Sequence, residues 1–479
     1  MSSTPSLGLE VSNDTVVEAG HDDPEHSSHD AEHGSAHGDT PSAFLCIPFV
    51  LLLLLIAVGP LFFEHFWHKN YPVIAIFLAV IVVGYYIFVM GNINGPIHAL
   101  EEYVPFISLL AALYIASGGI GIKIDREVSP FANVALLLTG AVIANLIGTT
   151  GASMLLVRPF IRLNKTRIKP YHIIFFIFIV SNVGGSLTPI GDPPLFLGFL
   201  KGVPFFWTLE HNVVPWAFAV TILLAVFYAF DIRNKSVFLL DDEPITYSNK
   251  VSIVGGRNFI WLLIVIIAVF IDPNVEGMEW LPAIDYHGKK ISFIKEIIWL
   301  TVAFLSYRLA RKEAHKINEF SFEPIREVAF IFIGIFGTMT PALELVGSFA
   351  KSPAGQQLIN PDMLYWGTGL LSGFLDNAPT YVNFVTAAIS AKGGNISNLE
   401  DVRAFAAGEY PDSIILLKSI SIAAVFFGAM TYIGNGPNFM VKSIAEQIGI
   451  KMPSFFGYII RFSIPVLLPI LILTWLIFF

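Results

Sequence analysis

The sequence predicts an all-α polytopic membrane protein built as an inverted repeat, with two re-entrant helical hairpins, two broken helices and about ten full spans. Three observations carry that prediction. Apolar runs recur from Pro41 to Phe479, several of them about 20 residues long, the length of a helix that crosses a bilayer. Only 14% of the residues are charged, against about 25% in a soluble domain. Two Gly/Pro-rich segments that resemble each other interrupt two of the apolar runs.

The full spans read near 43–63, 72–90, 104–117, 171–200, 212–230, 258–271, 294–310, 327–347, 413–440 and 455–479. Two further apolar stretches, 131–157 and 362–390, are assigned by charge. Arg158, Arg162, Lys165, Arg167 and Lys169 follow the first, and Lys123 and Arg126 precede it. Cytoplasmic loops carry the excess of Lys and Arg, so both flanks belong on one side. The stretch 131–157 therefore enters and returns, with Gly148-Thr149-Thr150-Gly151 at its tip. The stretch 362–390 then becomes a second hairpin from the opposite side, centred on Asp376-Asn377-Ala378-Pro379-Thr380. With ten spans and two hairpins the inner loops hold 19 basic residues and the outer segments seven, and both termini fall outside.

Four segments follow: a tail over 1–42, an N-terminal half over 43–230, a cytoplasmic linker over 231–257 and an inverted C-terminal half over 258–479. The tail holds nine acids and no Lys or Arg, which accounts for the net charge of −9 and leaves the body neutral. It is read as a disordered, solvated leader for lack of apolar content. Its histidines (His21, His26, His29, His33, His37) allow weak capture of a divalent metal as the alternative. No basic segment precedes the first apolar run, so the start does not read as a typical signal peptide. The single Cys46 excludes a disulfide framework and a Cys-based zinc site.

The repeat sets GSLTPIGDPPLF (Gly185–Phe196) against GAMTYIGNGPNF (Gly428–Phe439) at an offset of 243, with six of twelve positions identical. Each copy follows a hairpin, and the charge reading gives the two copies opposite directions, which is the signature of an inverted-topology repeat. Proline donates no backbone hydrogen bond and glycine accepts unusual dihedrals, so both helices must break. Such a break is tolerated at membrane depth only where it lines a cavity or lies within protein. There, carbonyls and helix C-termini suit cations, and helix N-termini suit anions.

An intramembrane carboxylate is costly and marks function. Asp192 lies in the first break and Asp376 at the second hairpin tip, with Asn435 at the repeat position of Asp192. A sodium ion wants oxygen ligands, which Thr149, Thr150, Thr188, Asp192, Asp376, Asn377, Thr380, Thr431 and Asn435 supply. Sodium is expected on Asp192, Asp376, Asn377 and Asn435, and protons are expected to compete for Asp192 and Asp376. Glu344 is read as solvent-facing at a span end, Asn145, Asn182 and Asn383 as packing amides between helices, and His98 and His172 as interfacial. Arg461, near the end of the last span, is read as snorkelling to the surface.

SNVGGSLTPIGDPPLF and GFLDNAPTYVNF resemble the ion transporter superfamily, which includes NhaD-type sodium/proton antiporters, citrate and dicarboxylate transporters and arsenite-efflux permeases. The Thr188–Asp192 run is most similar to the NhaD-type branch, and the longer context is similar to proteins described as citrate transporters. The resemblance covers roughly 104–460. It implies a midplane site between hairpins and broken helices, a homodimer, and elevator-like movement. Its hairpin-tip positions are Thr149, Thr150, Asp376, Asn377 and Thr380; its broken-helix positions are Thr188, Pro189, Asp192, Thr431 and Asn435. The dicarboxylate branch has Ser-Asn-Thr at each hairpin tip, where this chain has Gly148-Thr149-Thr150-Gly151 and Asp376-Asn377-Ala378-Pro379-Thr380.

The expected activity is therefore sodium/proton antiport, with sodium- or proton-coupled citrate or dicarboxylate transport as the alternative and arsenite efflux third. No Walker motif, HExxH or GxSxG occurs, so neither ATP-driven transport nor an enzyme is expected. Expected partners are small cations, protons, membrane lipid and a second copy of the chain. No cofactor is expected beyond the sodium ion, and no nucleic acid. The charge bias suits a bacterial inner membrane.

Overall fold

A computed structural model describes residues 42–125, 129–234, 250–275, 277–286 and 289–479. The expected tail over 1–42 lies outside the described residues except for Ser42, as does most of the 231–257 linker. The described chain is a multi-pass, all-α membrane protein with two short β-ribbons. Eight of its helices are long and apolar enough to cross a bilayer: Ala43–Pro60, His65–Phe88, Asn94–Gly118, Pro130–Leu163, Trp207–Asp231, Glu323–Lys351, Ser413–Met430 and Phe455–Phe478. Many of their large apolar side chains face outward, among them Phe77, Phe88, Val214 and Ile460. Burying them needs lipid, not water.

The helix Pro130–Leu163 is not straight. Gly148, at φ 79° and ψ 154°, breaks it, and the chain returns on itself. Asn133 and Asn164 exchange two side-chain hydrogen bonds of 2.8 Å. A straight helix would hold residues 31 apart about 46 Å from each other. Higher up, a Cβ on Gly140 would lie 3.1 Å from the Leu156 side chain, so the two arms touch through glycine. Hairpin 1 thus runs Pro130–Leu163, six residues beyond the expected end at 157.

Hairpin 2 joins Pro361–Phe374 to Asn377–Ala391 through an extended Leu375. Here Gly367 approaches Phe384, with a Cβ–Cε1 distance of 3.1 Å for an added methyl. The first broken helix comprises Pro170–Ile179 and Pro193–Lys201, with a 3₁₀ turn at Val183–Gly185 between them. The second comprises Ser413–Phe427 and Gly436–Gln447, with a turn at Gly428–Met430.

The Gly/Pro breaks stop 171–200 from being one helix and shorten the uninterrupted part of 413–440, as loss of the backbone ladder requires. The 258–271 span is an 11-residue helix, Asn258–Ala268, and the 294–310 span is the 16-residue helix Ile294–Leu309. Both fall short of the 30 Å of hydrocarbon.

The strand Gly121–Asp125 pairs antiparallel with Lys250–Val254, so the loop before hairpin 1 meets the end of the linker. At the hairpin base, Asp231 is fully buried and accepts from Arg167 (2.8 Å), Tyr171 (2.7 Å) and Asn133 (2.9 Å), with His172 Nε2 at 3.1 Å. His172 is therefore a core residue, not an interfacial one, because Asp231 supplies the partner that its burial demands. Asn133→Leu removes one donor from Asp231 and both bonds to Asn164. Burial of unmet polar groups costs about 1–3 kcal/mol each, so a lower melting temperature in detergent is expected, with hairpin 1 proteolysed sooner. An unchanged melting profile would mean that the clamp does not hold the hairpin.

Candidate functional site

The two hairpin tips and the two breaks meet at Asp192. Its carboxylate is 1% exposed. Oδ1 accepts from the Thr149 hydroxyl of hairpin 1 (2.7 Å) and from the Asn435 amide of the second broken helix (2.9 Å). Oδ2 accepts from the Asn377 amide of hairpin 2 (2.7 Å). One side chain therefore joins all four elements, and each of these partners is neutral. The carbonyl of Asn377 is buried and has no hydrogen-bond partner.

The backbone explains this convergence. Asp192 and Asn435 occupy the same place in the repeat: each is the extended residue just before a half-helix, Pro193–Lys201 or Gly436–Gln447. Neither side chain caps its own helix, which leaves both free to point across the junction. Asp376 does the opposite. It accepts from the Ala378 amide at 3.0 Å as an N-cap, and it also lines the cavity described below.

The repeat extends to the hydrogen bonds that hold each break. Thr188 donates to the Asn145 carbonyl (2.6 Å) and Thr431 to the Gly373 carbonyl (2.6 Å), each on the arm leading to a hairpin tip. The Gly191 and Gly434 amides then donate to those same hydroxyls at 3.2 Å. Thr188 and Thr431 thus latch each break to its hairpin and do not touch Asp192. Thr380 likewise donates to the Asp376 carbonyl of its own helix, at 2.9 Å. Thr150 lines the cavity, and Pro189 lies buried within the break.

Sequence reading places Asn435 among the cation ligands. In the structure its amide nitrogen, not its oxygen, faces Asp192. Asn145 and Asn182 prove to be more than packing amides. Asn145 receives the Leu187 amide (2.9 Å) and donates to the Gly184 carbonyl (2.6 Å), closing the first break. Asn182 and Asn438 bond each other at 2.6 Å across the two broken helices. Asn438 carried no signal, because its repeat partner is the apolar Leu195. Asn383 donates to the Pro379 carbonyl of its own helix at 2.8 Å, and the part-buried Glu344 accepts from Tyr86 at 2.8 Å.

A cavity of 530 Å³ reaches this junction. Its inner end is formed by Thr149, Thr150, Gly191, Asp376, Asn377 and Asn435. Its walls run along the second arm of hairpin 1 to Arg158 and along Gly436–Gln447, against helices His65–Phe88 and Glu323–Lys351. Three further acids line it, Glu319, Glu323 and Glu327, against Arg158 and His68. Arg158 is paired with Glu319 at 3.2 Å. Among the described residues no three His, Cys, Asp or Glu side chains cluster as a metal site. The junction thus gathers the carboxylates of Asp192 and Asp376, the side-chain amides of Asn377 and Asn435 and the hydroxyl of Thr149.

No curated protein matches the chain. Residues 38–479 match the family model CitMHS_2, described as "Putative citrate transport". Two hairpins and two breaks, closed around a buried carboxylate at the end of a cavity, are a transporter's arrangement, and with nearly its whole length matched the chain belongs to this citrate-transport family.

Proposed function

We propose that this secondary transporter exchanges sodium for protons at Asp192. One observation carries the reading: a fully buried carboxylate whose side-chain partners are all neutral. A buried charge without a counter-charge is strongly disfavoured. A proton or a cation entering from the cavity relieves that cost, and the two cannot do so together. Binding one expels the other, and that is exchange. The unpartnered Asn377 carbonyl beside Asp192 offers an oxygen to the cation, and Asp376 offers a second carboxylate. The acidic cavity walls favour entry of cations over anions.

The hairpins and broken helices hydrogen-bond to one another through Asp192, which suits them to move as one body past helices Asn94–Gly118 and Glu323–Lys351. That is the elevator-type movement we propose. The setting we propose is a bacterial inner membrane.

A second reading is cation-coupled citrate transport. The family description favours it, and 530 Å³ exceeds what a bare ion needs. Helix N-termini at Asp192, Asp376 and Asn435 also suit carboxylates.

Proteoliposomes with a trapped pH-sensitive dye separate the two. Sodium alone should move protons, and Asp376→Asn should weaken that response while keeping its helix cap. Silence with sodium and a signal with citrate would reject antiport in favour of citrate transport. Sodium binding should also raise the melting temperature. Ligand at 100 times its Kd adds about 2.7 kcal/mol, and Asp192→Asn should lose that gain.

A further inference from the structure

The hairpins and broken helices also meet the helices they would slide past on the face away from the cavity mouth. Asn133 and Asp231 close the base of hairpin 1, and the cavity wall runs down the second arm of that hairpin to Arg158, so the cavity opens toward that base. Its mouth is lined by the exposed Glu319, Glu323 and Gln447. The helix Trp207–Asp231, 25 residues and about 37 Å long, ends at the same base. Trp207, and Lys201 at the end of the half-helix Pro193–Lys201, therefore lie toward the other face. There Lys201 forms an ion pair with Glu102 of helix Asn94–Gly118, and the two side chains are only 10% and 11% exposed. Two further contacts cross the same boundary. Phe205 packs on Phe270, just past the helix Asn258–Ala268, at 4.7 Å between ring centres. Arg403 donates to the Asn274 carbonyl. The helix that carries Arg403, Leu399–Ala407, is tied to the first broken helix's side, since its Ala406 carbonyl accepts from the Trp207 indole at 2.8 Å. The ion pair near the mouth, Arg158–Glu319, differs in kind: the Glu319 side chain is 60% exposed, so water can replace its partner.

We propose that the Glu102–Lys201 pair is a latch that holds the moving body in the state seen here, with the cavity open at the base of hairpin 1, and that it must part before the site can open to the other face. This rests on the proposed movement of the body past helix Asn94–Gly118. A slide of one helical turn, about 5.4 Å, carries Lys201 out of hydrogen-bond reach of Glu102. A pair held out of water resists that slide, because each charge is stranded as the two separate. The pair stabilises one state selectively, so its loss favours the other. Removing a single partner acts in the same direction, since it leaves the remaining charge buried and unpaired in the state seen here.

The test reads which face reaches the site, without transport. The single native cysteine is removed by Cys46→Ser, and Thr150→Cys, at the deep end of the cavity, serves as reporter. A membrane-impermeant maleimide is applied to oriented vesicles of the full chain from either face. With the latch intact, labelling from the cavity face should dominate. Glu102→Gln and Lys201→Gln should each raise the ratio of far-face to cavity-face labelling by about tenfold or more, the worth of one charge-assisted hydrogen bond. The exchanged pair, Glu102→Lys with Lys201→Glu, should return the ratio toward its starting value. An unchanged ratio in the glutamine variants, or no recovery in the exchanged pair, would overturn the latch. If the glutamine variants do not accumulate, Glu102→Leu combined with Lys201→Met leaves no charge unpaired and should raise the ratio alike; failure of this variant too would assign the pair to folding alone and reject the latch. A reporter that never reacts from the far face in any of these proteins would refute the sliding movement itself, whereas a parent protein labelled from both faces, with the ratio unmoved in the variants, would refute the latch alone.

Discussion

Asp192→Asn is expected to fold normally and to lose sodium-driven proton movement entirely. The first half follows from the donors around the carboxylate. An asparagine oxygen at the Oδ1 position still accepts from Thr149 and Asn435. Its nitrogen then faces the Asn377 nitrogen, two donors opposed. Asn377 can resolve this by turning, because its own oxygen is buried and uncommitted. Stability should stay within about 1 kcal/mol of the wild type, the worth of one net hydrogen bond. Asp192→Ala has no such escape. It strands the Thr149 hydroxyl and the Asn377 and Asn435 amides, and each unmet buried donor costs about 1–3 kcal/mol. The alanine variant should therefore be destabilised by about 3 kcal/mol or more, and the asparagine variant should be stable and silent. Melting curves beside a liposome flux assay separate loss of charge from loss of structure. Proton movement persisting in a stable Asp192→Asn protein would remove Asp192 from the mechanism.

Gly191→Ala is expected to destroy the site without replacing a polar side chain. A Cβ there would lie 2.1 Å from the Gly185 carbonyl oxygen and 3.0 Å from Asn145 Oδ1. The backbone has no room to yield. The Gly191 carbonyl accepts from the Thr149 amide at 2.8 Å, and its N–H donates to the Thr188 carbonyl at 2.9 Å. The break, the hairpin tip and the Thr188 latch must shift together, at a cost of about 3 kcal/mol. Gly434→Ala should do comparable damage in the second half, with Gly428 and Ser372 carbonyl oxygens at 2.7 and 2.8 Å from its Cβ. Gly436→Ala is the control. Nothing lies within 4 Å of a Cβ there, and alanine favours the helix that starts at that residue. Yield in the membrane fraction and melting temperature should fall for the first two substitutions and hold for the third. Equal behaviour of all three would mean that the breaks are not closed by glycine contact.

Much of the architecture is legible locally. Apolar length marks the spans, basic loops mark the hairpin that returns, and the Gly/Pro motifs mark the breaks, because each is a property of a few neighbouring residues. The length of each helix is not legible in the same windows. The helix Asn258–Ala268 is apolar enough for a span and too short for one, and length in a helix is not readable from hydropathy alone. His172 looks interfacial because it sits at the start of an apolar run, yet with Asp231 it forms a fully buried cluster.

The site divides in the same way. Asp192, Asp376, Asn377 and Asn435 stand out as polar residues in apolar surroundings, so the sequence by itself determined which residues could carry the chemistry, and the repeat paired Asp192 with Asn435. It could not determine roles. Thr188 and Thr431 share the repeat with them and latch backbone instead, while Asn438, with an apolar repeat partner, bonds Asn182 across the two broken helices. Donor and acceptor assignment depends on partners 39 to 256 residues away, such as Gly184 for Asn145 and Asn438 for Asn182. Only the tertiary structure brings those partners within 3 Å. A hydrogen bond is decided by distance and direction, and neither is written in the order of residues along the chain.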